Sequence, residues 1–198
     1  MIPVALNPQR VKLGLMGAGN AGLRRHAALR TGGAGGLEIF TADPALATAA
    51  NTGLRTQPPS DTELAALNLL WVAGLPEPEA RALASRARAL GVLVNVEDVP
   101  DLCDFHAVSE IRRGDLLLTV STGGQAPGLA AALRRRLDGC FPPAWAARVA
   151  EIADLRRLWR ADGASMPETA HRIDALIAER AWLSCPLYPV SLNAAKDL

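Results

Sequence analysis

Val11-Lys12-Leu13-Gly14-Leu15-Met16-Gly17-Ala18-Gly19-Asn20-Ala21-Gly22 is the stretch that decides the fold. Val11 to Met16 is an apolar run of strand length. It leads into Gly-x-Gly-x-x-Gly and a helical stretch reaching about Arg30. On its own that glycine pattern is a weak signal; its surroundings give it meaning. Leu37 to Thr41 reads as a second strand, and Asp43 stands 21 residues beyond Gly22. Gly17 is expected to permit the tight turn. Gly19 lets backbone approach a pyrophosphate, and Gly22 lets helix pack on strand, with the helix N-terminus facing the anion. Asp43 can accept from an adenosine ribose and would repel a 2′-phosphate, which favours NAD over NADP. Gly32 to Gly36 reads as a plain loop.

Beyond this unit, strands and helices keep alternating. Asn51 to Ser60 is irregular. Leu69 to Ala73 is a buried strand, Pro76 to Leu90 a helix with proline in its first turn, and Val92 to Val96 the next strand. Such spacing implies an α/β fold with an N-terminal Rossmann-type parallel sheet over 1–104.

The pattern changes after Pro100. Phe105 to Ile111 and Leu116 to Ser121 read as a hairpin around Arg113-Gly114, followed by a helix from Gly128 to Leu137; together they form a segment over 105–140. The remainder, 141–198, reads as a small helical domain. Trp145, Val149, Ile152, Leu155 and Trp159 fall on one helical face. A further helix begins at Pro167 and carries Ile173, Leu176, Ile177 and Leu183. These residues read as core.

Composition narrows the function. Across 198 residues, 49% hydrophobic and 21% charged is the balance of a globular protein. A net charge of +1 gives no reason to expect nucleic acid or a membrane surface as partner. Nineteen arginines stand against Lys12 and Lys196. That bias reads either as genome composition or as a fit to a carboxylate-rich substrate. Cys103, Cys140 and Cys185 are too few and too scattered for a disulfide framework or a Cys-x-x-Cys metal site. With no signal peptide or membrane span in the sequence, the cytoplasm is the expected compartment.

The short-chain dehydrogenase pair is missing. Tyr188 is the only tyrosine, in a proline-flanked tail, and position 192 is leucine rather than lysine. Asn95-Val96-Glu97-Asp98-Val99-Pro100-Asp101-Leu102-Cys103-Asp104-Phe105 is more informative. It begins at the carboxyl end of a sheet strand, where open α/β proteins place their ligands. Asp98 reads equally as a turn cap or as a group that takes a proton beside a nicotinamide.

This stretch resembles the Asn-Val-x-Asp-x-Pro…Leu-Cys-(Asp/Asn)-Phe segment of the siroheme synthase, precorrin-2 dehydrogenase family. The likeness continues through Arg113-Gly114-Asp115-Leu116, through Val120-Ser121-Thr122-Gly123-Gly124-Gln125-Ala126-Pro127-Gly128-Leu129-Ala130, and into Leu133-Arg134-Arg135-Arg136-Leu137. It covers roughly residues 10 to 140. The resemblance implies oxidation of precorrin-2 to sirohydrochlorin with NAD as hydride acceptor. Many members also insert ferrous iron, to give siroheme. By motif position, Asp98 matches the family's essential aspartate, and Asn20, Ala21, Asp43 and Pro44 fall where members contact NAD. The resemblance assigns 105–140 to homodimerisation, and Thr122, Gly123, Gly124 and His106 are candidate substrate contacts.

The chemistry suits these residues. The substrate is a reduced tetrapyrrole with eight carboxylates, which arginines would orient. A base serves both the oxidation and the deprotonation that metal insertion needs. No resident metal site is expected, because iron passes into the macrocycle. Two places depart from the family pattern. Ala73-Gly74-Leu75-Pro76 replaces Ala-Ala-Thr-(Asp/Asn), and His106-Ala107-Val108-Ser109 follows Phe105 where an apolar residue and a proline are common. His106 reads as a metal or proton handler or as an ordinary strand position. His26 and His171 read as surface or packing residues. The competing class is a non-catalytic, NAD-sensing dimeric binding module. Asp98 and the Gly123-Gly124 loop favour the enzyme, since a sensor requires neither.

Overall fold

The computed structural model describes residues 2–184. Tyr188, Leu192 and Lys196 lie outside them, as does Cys185. The chain divides into two compact units, Met1–Ala107 and Val108–Leu198.

The first unit is a four-stranded parallel sheet of β1 (Leu13–Gly17), β2 (Glu38–Phe40), β3 (Leu69–Ala73) and β4 (Leu93–Val96), in the order β2-β1-β3-β4. Helix α1 (Gly19–Thr31) connects β1 to β2. Helices α2 (Pro44–Ala50) and α3 (Asp61–Ala65) lie between β2 and β3, and α4 (Glu77–Ala89) between β3 and β4. The order reverses between β1 and β3. That is the topological switch point at which open α/β sheets bind ligands.

The core follows from the two-residue period of β3, all of which is buried. Leu69, Trp71 and Ala73 pack with Leu13, Leu15, Ile39 and Leu46 on one face. Leu70 and Val72 pack with Val94, Val96 and Ala80, Leu83, Ala84 and Ala87 of α4 on the other. With both faces covered, β3 reads as a continuous apolar run rather than an alternating one. Burying each large apolar side chain stabilises the fold by about 1.5–3 kcal/mol.

Two elements were not expected from sequence. Asp43 caps α2 through the Ala45 N–H, with Pro44 in the first turn. Ser60 and Glu63 close a capping box on α3. Helix α4 begins one residue later than expected, with Pro76 as its cap.

In the second unit, β5 (Ser109–Arg113) and β6 (Leu116–Val120) pair antiparallel, Arg113 facing Leu116 across a two-residue turn. Phe105 to Val108 does not join this strand as expected. The Phe105 ring meets Trp71 edge-on at 5.0 Å, and its carbonyl accepts from Asn95, so Phe105 belongs to the sheet unit. Helices α5 (Pro127–Cys140), α6 (Trp145–Ala161) and α7 (Met166–Glu179) follow. The expected face of α6 is the less exposed one, with Trp145 buried and Val149, Ile152, Leu155 and Trp159 half-buried. Leu183 is not part of the last helix, which ends at Glu179, and it is exposed. Cys103 is a free thiol. No helix among the described residues is long and apolar enough to cross a membrane.

Candidate functional site

At the switch point the ends of β1 and β3 are joined by the Ala18 N–H, which donates to the Ala73 carbonyl at 3.0 Å. The glycines divide the work differently from the expectation. Gly17 does not carry the turn. A Cβ on it would lie 2.9 Å from Leu46 Cδ2 and 3.2 Å from the Cα of Gly22, so its place is fixed by close packing. Gly22 is held in the same way, 3.0 Å from the Gly17 carbonyl carbon. The turn falls to Gly19, at φ +58°, where the space a side chain would fill is open. A left-handed residue under open space at the start of α1 fits a backbone that a pyrophosphate approaches closely.

Asp43 ties this loop to β2. One carboxylate oxygen accepts from the Gly19 N–H at 2.6 Å and the other from the Ala45 N–H at 2.8 Å. These donors, Gly19 first, hold the carboxyl below its usual range. Buried Thr41 completes the brace. Its hydroxyl donates to the Gly17 carbonyl at 2.8 Å and accepts from the Asp43 N–H at 3.0 Å. Pro44 opens α2, while Asn20 and Ala21 lie in the first turn of α1.

A cavity of about 230 Å³ adjoins the loop, and Asp98 lines it together with Ala21, Gly74, Leu75 and Glu97. Asp98 is exposed in the turn after β4 and stands at φ +64°. Its carboxylate has no hydrogen-bond or ion-pair partner among the described residues, so the turn-cap reading does not hold. The Asn-Val-x-Asp…Cys-Asp-Phe pattern acts largely as a clamp around this turn. Asn95, 5% exposed, donates to the Phe105 carbonyl at 2.8 Å and to Cys103 Sγ at 3.4 Å. Cys103 Sγ also takes the Val96 N–H at 3.3 Å. Asp104 accepts from the Val94 N–H at 2.8 Å and from Arg88 Nε at 2.8 Å.

Three features escaped the sequence reading. Thr41 is one. Gly74 is the second. It stands at φ +78°, and a Cβ on it would overlap the Ala18 carbonyl oxygen, so glycine at this position goes with close approach to the glycine loop. The third is the pairing of Glu97 with Arg24 and Arg25. Its partners lie more than seventy positions apart and leave no sequence signal.

Of the candidate residues, the structure brings Asp98 and Ala21 into one cavity, while Asp43 meets the glycine loop at the Gly19 N–H. His106 is half-buried and does not line the cavity. Thr122, Gly123 and Gly124 belong to the second unit. There they form a tight turn in which Thr122 Oγ1 accepts from the Ala126 N–H at 3.2 Å. His26, on α1, has its pKa lowered by burial and then by Arg30. No group of three or more His, Cys, Asp or Glu among the described residues is placed to hold a metal ion.

Residues 4–109 match a family model described as "Putative NAD(P)-binding". The siroheme synthase of Methylococcus capsulatus is 33% identical over 159 residues, which is 78% of this chain and 34% of that protein. The chain belongs to the siroheme synthase / precorrin-2 dehydrogenase family. The siroheme synthase of Nitrosomonas europaea is 45% identical over 73 residues, 37% of this chain and 15% of that protein. Among solved structures, one titled "SirC, precorrin-2 dehydrogenase" superposes with a TM-score of 0.70 at 16% identity, covering 93% of each chain. This family member thus shares that fold and carries an NAD(P)-binding domain. It spans about a third of the length of the curated relative it matches over most of its own length.

Proposed function

We propose that this chain oxidises precorrin-2 to sirohydrochlorin with NAD as the acceptor. One observation carries the reading: a carboxylate without a partner, on Asp98, shares a cavity with the first turn of the glycine helix. NAD, when bound, supplies the hydride acceptor. The glycine loop and the α1 N-terminus would hold its pyrophosphate, and Asp43 would receive the adenosine ribose. The oxidation removes a hydride and a proton from the macrocycle; NAD would supply the acceptor for the hydride, and Asp98 takes the remaining proton. The Asn95–Cys103 clamp holds the Asp98 turn in its left-handed conformation while this happens.

The same base suits a second step. Insertion of ferrous iron, as substrate, requires the pyrrole nitrogens to lose their protons, and Asp98 is the cavity carboxylate that no arginine pairs, since Glu77 and Glu97 are both ion-paired. Thr122, Gly123 and Gly124 belong, in this reading, to substrate binding in a homodimer. The proposed place of action is the cytoplasm.

The test is incubation of the purified protein with precorrin-2 and NAD, following the absorbance spectrum. Asp98→Ala should lower the oxidation rate by roughly a hundredfold to ten-thousandfold, the usual cost of losing a positioned base, while NAD still binds. Iron or cobalt insertion into supplied sirohydrochlorin, without NAD, should fall in the same variant. A folded Asp98→Ala protein that oxidises at a near-normal rate would place the base elsewhere. A wild-type protein that binds NAD and turns over nothing would support the sensing module instead.

A further inference from the structure

Glu97 takes two guanidinium groups from the glycine helix. Arg24 Nη2 lies 3.5 Å from one carboxylate oxygen and Arg25 Nη2 lies 3.5 Å from the other. Those contacts are loose, since a well-made guanidinium–carboxylate pair closes to about 2.7–2.9 Å. Neighbouring pairs in the same unit do close, Arg88 with Asp104 at 2.8 Å and Arg81 with Glu77 at 2.7 Å. Two cations on one anion leave positive charge over. The Arg24 side chain is 67% exposed. Arg25 Nε is buried without a hydrogen-bond partner. The cluster therefore has more donors than acceptors. It stands beside the cavity that Glu97 and Asp98 line together.

We propose that Arg24 and Arg25 form the docking site for one peripheral carboxylate of the substrate, with Glu97 as an internal stand-in. The inference rests on the polycarboxylate substrate argued above and names where one of its acid side chains is held. In the free protein Glu97 keeps the guanidinium groups from collapsing elsewhere. A substrate carboxylate, arriving from solvent, replaces the loose contacts to Arg24 with a forked pair. Because Glu97 and Asp98 are adjacent, that anchor sets which edge of the macrocycle faces the base.

The experiment is steady-state kinetics on the full chain, paired with absorbance titration of sirohydrochlorin into the cofactor-free protein. Arg24→Gln should raise KM for precorrin-2 about tenfold, the worth of one charge-assisted hydrogen bond, with the loss falling on KM rather than kcat. Glu97→Gln should move KM the other way, down about threefold, because it removes the competing carboxylate. A purely structural ion pair would move both variants in the same direction. The Kd of sirohydrochlorin should follow the same opposed pattern, and should weaken with salt less steeply in Arg24→Gln than in wild type. Unchanged KM and Kd in a folded Arg24→Gln protein, or parallel losses in both variants, would overturn the docking site. A wild type that binds sirohydrochlorin with this pattern but never oxidises precorrin-2 would sink the oxidation and leave the docking site standing. A wild type that binds no tetrapyrrole sinks both.

Discussion

Asp43 accepts two backbone hydrogen bonds, and this bears on which dinucleotide the loop takes. The Gly19 and Ala45 N–H groups hold its carboxyl below its usual range, which favours the charged form. A carboxylate has about four acceptor positions, so acceptor capacity remains for a ribose hydroxyl. A 2′-phosphate would meet a fixed negative charge instead. NAD should therefore bind at least about tenfold more tightly than NADP, equivalent to roughly 1.4 kcal/mol. Asp43→Asn, which removes the charge and keeps one acceptor, should bring the two affinities together. Calorimetric titration with both cofactors reads this directly, and equal affinities in the wild type would remove Asp43 from the specificity role. Asp98 illustrates a different constraint. Few side chains other than Asn and Asp visit the left-handed region readily, so φ +64° and a carboxylate are satisfied by one residue type.

Among the elements, those visible in the sequence are the ones whose signal is local. The β1–turn–α1 unit is written in residue size, because Gly17 and Gly22 touch each other and Leu46 across the turn. β3 is written as an apolar run, because both of its faces are covered. Helices α2 and α3 are too short to show a helical period and are marked only by their caps, Asp43 with Pro44 and Ser60 with Glu63. The Arg24–Glu97 contact spans 73 positions and exists only once the sheet has formed. The α3 cap makes a testable claim about acid stability. The Ser60 N–H and hydroxyl, with Arg55 beside them, hold the Glu63 carboxyl at about 2 against an ordinary 4.5. A carboxyl depressed on folding contributes stability that is complete above about pH 4.5 and lost as pH falls toward about 2. In Glu63→Gln that slope should disappear. Urea midpoints measured across this window should fall less steeply with acid in the variant than in wild type; parallel curves would show that Glu63 does not carry the effect.

At the scale of the molecule the two units differ in how much they bury. In the sheet unit β3 alone is wholly buried. In the second unit the buried apolar residues among those described are Ile111, Ala130, Trp145 and Ala164. Strand β6 offers no buried side chain, and Leu129 and Leu133, one helical turn apart on α5, are 54% and 44% exposed. An apolar hairpin and helix face left open to this degree favours burial against another surface. We propose that a second copy of this chain provides it, the hairpin and α5 of one protomer packing on those of its partner. Closed twofold pairing lets one such patch cover itself, which is the commonest way a soluble chain solves the problem. Light scattering at micromolar concentration should then give twice the 20.8 kDa of one chain. Leu133→Asp should shift the protein toward monomer, because a charge placed in the closed interface would be buried without a partner. The glycine loop and Asp98 lie in the other unit, so NAD binding by that monomer should survive. A monomeric wild type would remove the dimer, and a Leu133→Asp protein that stays dimeric would move the interface off α5.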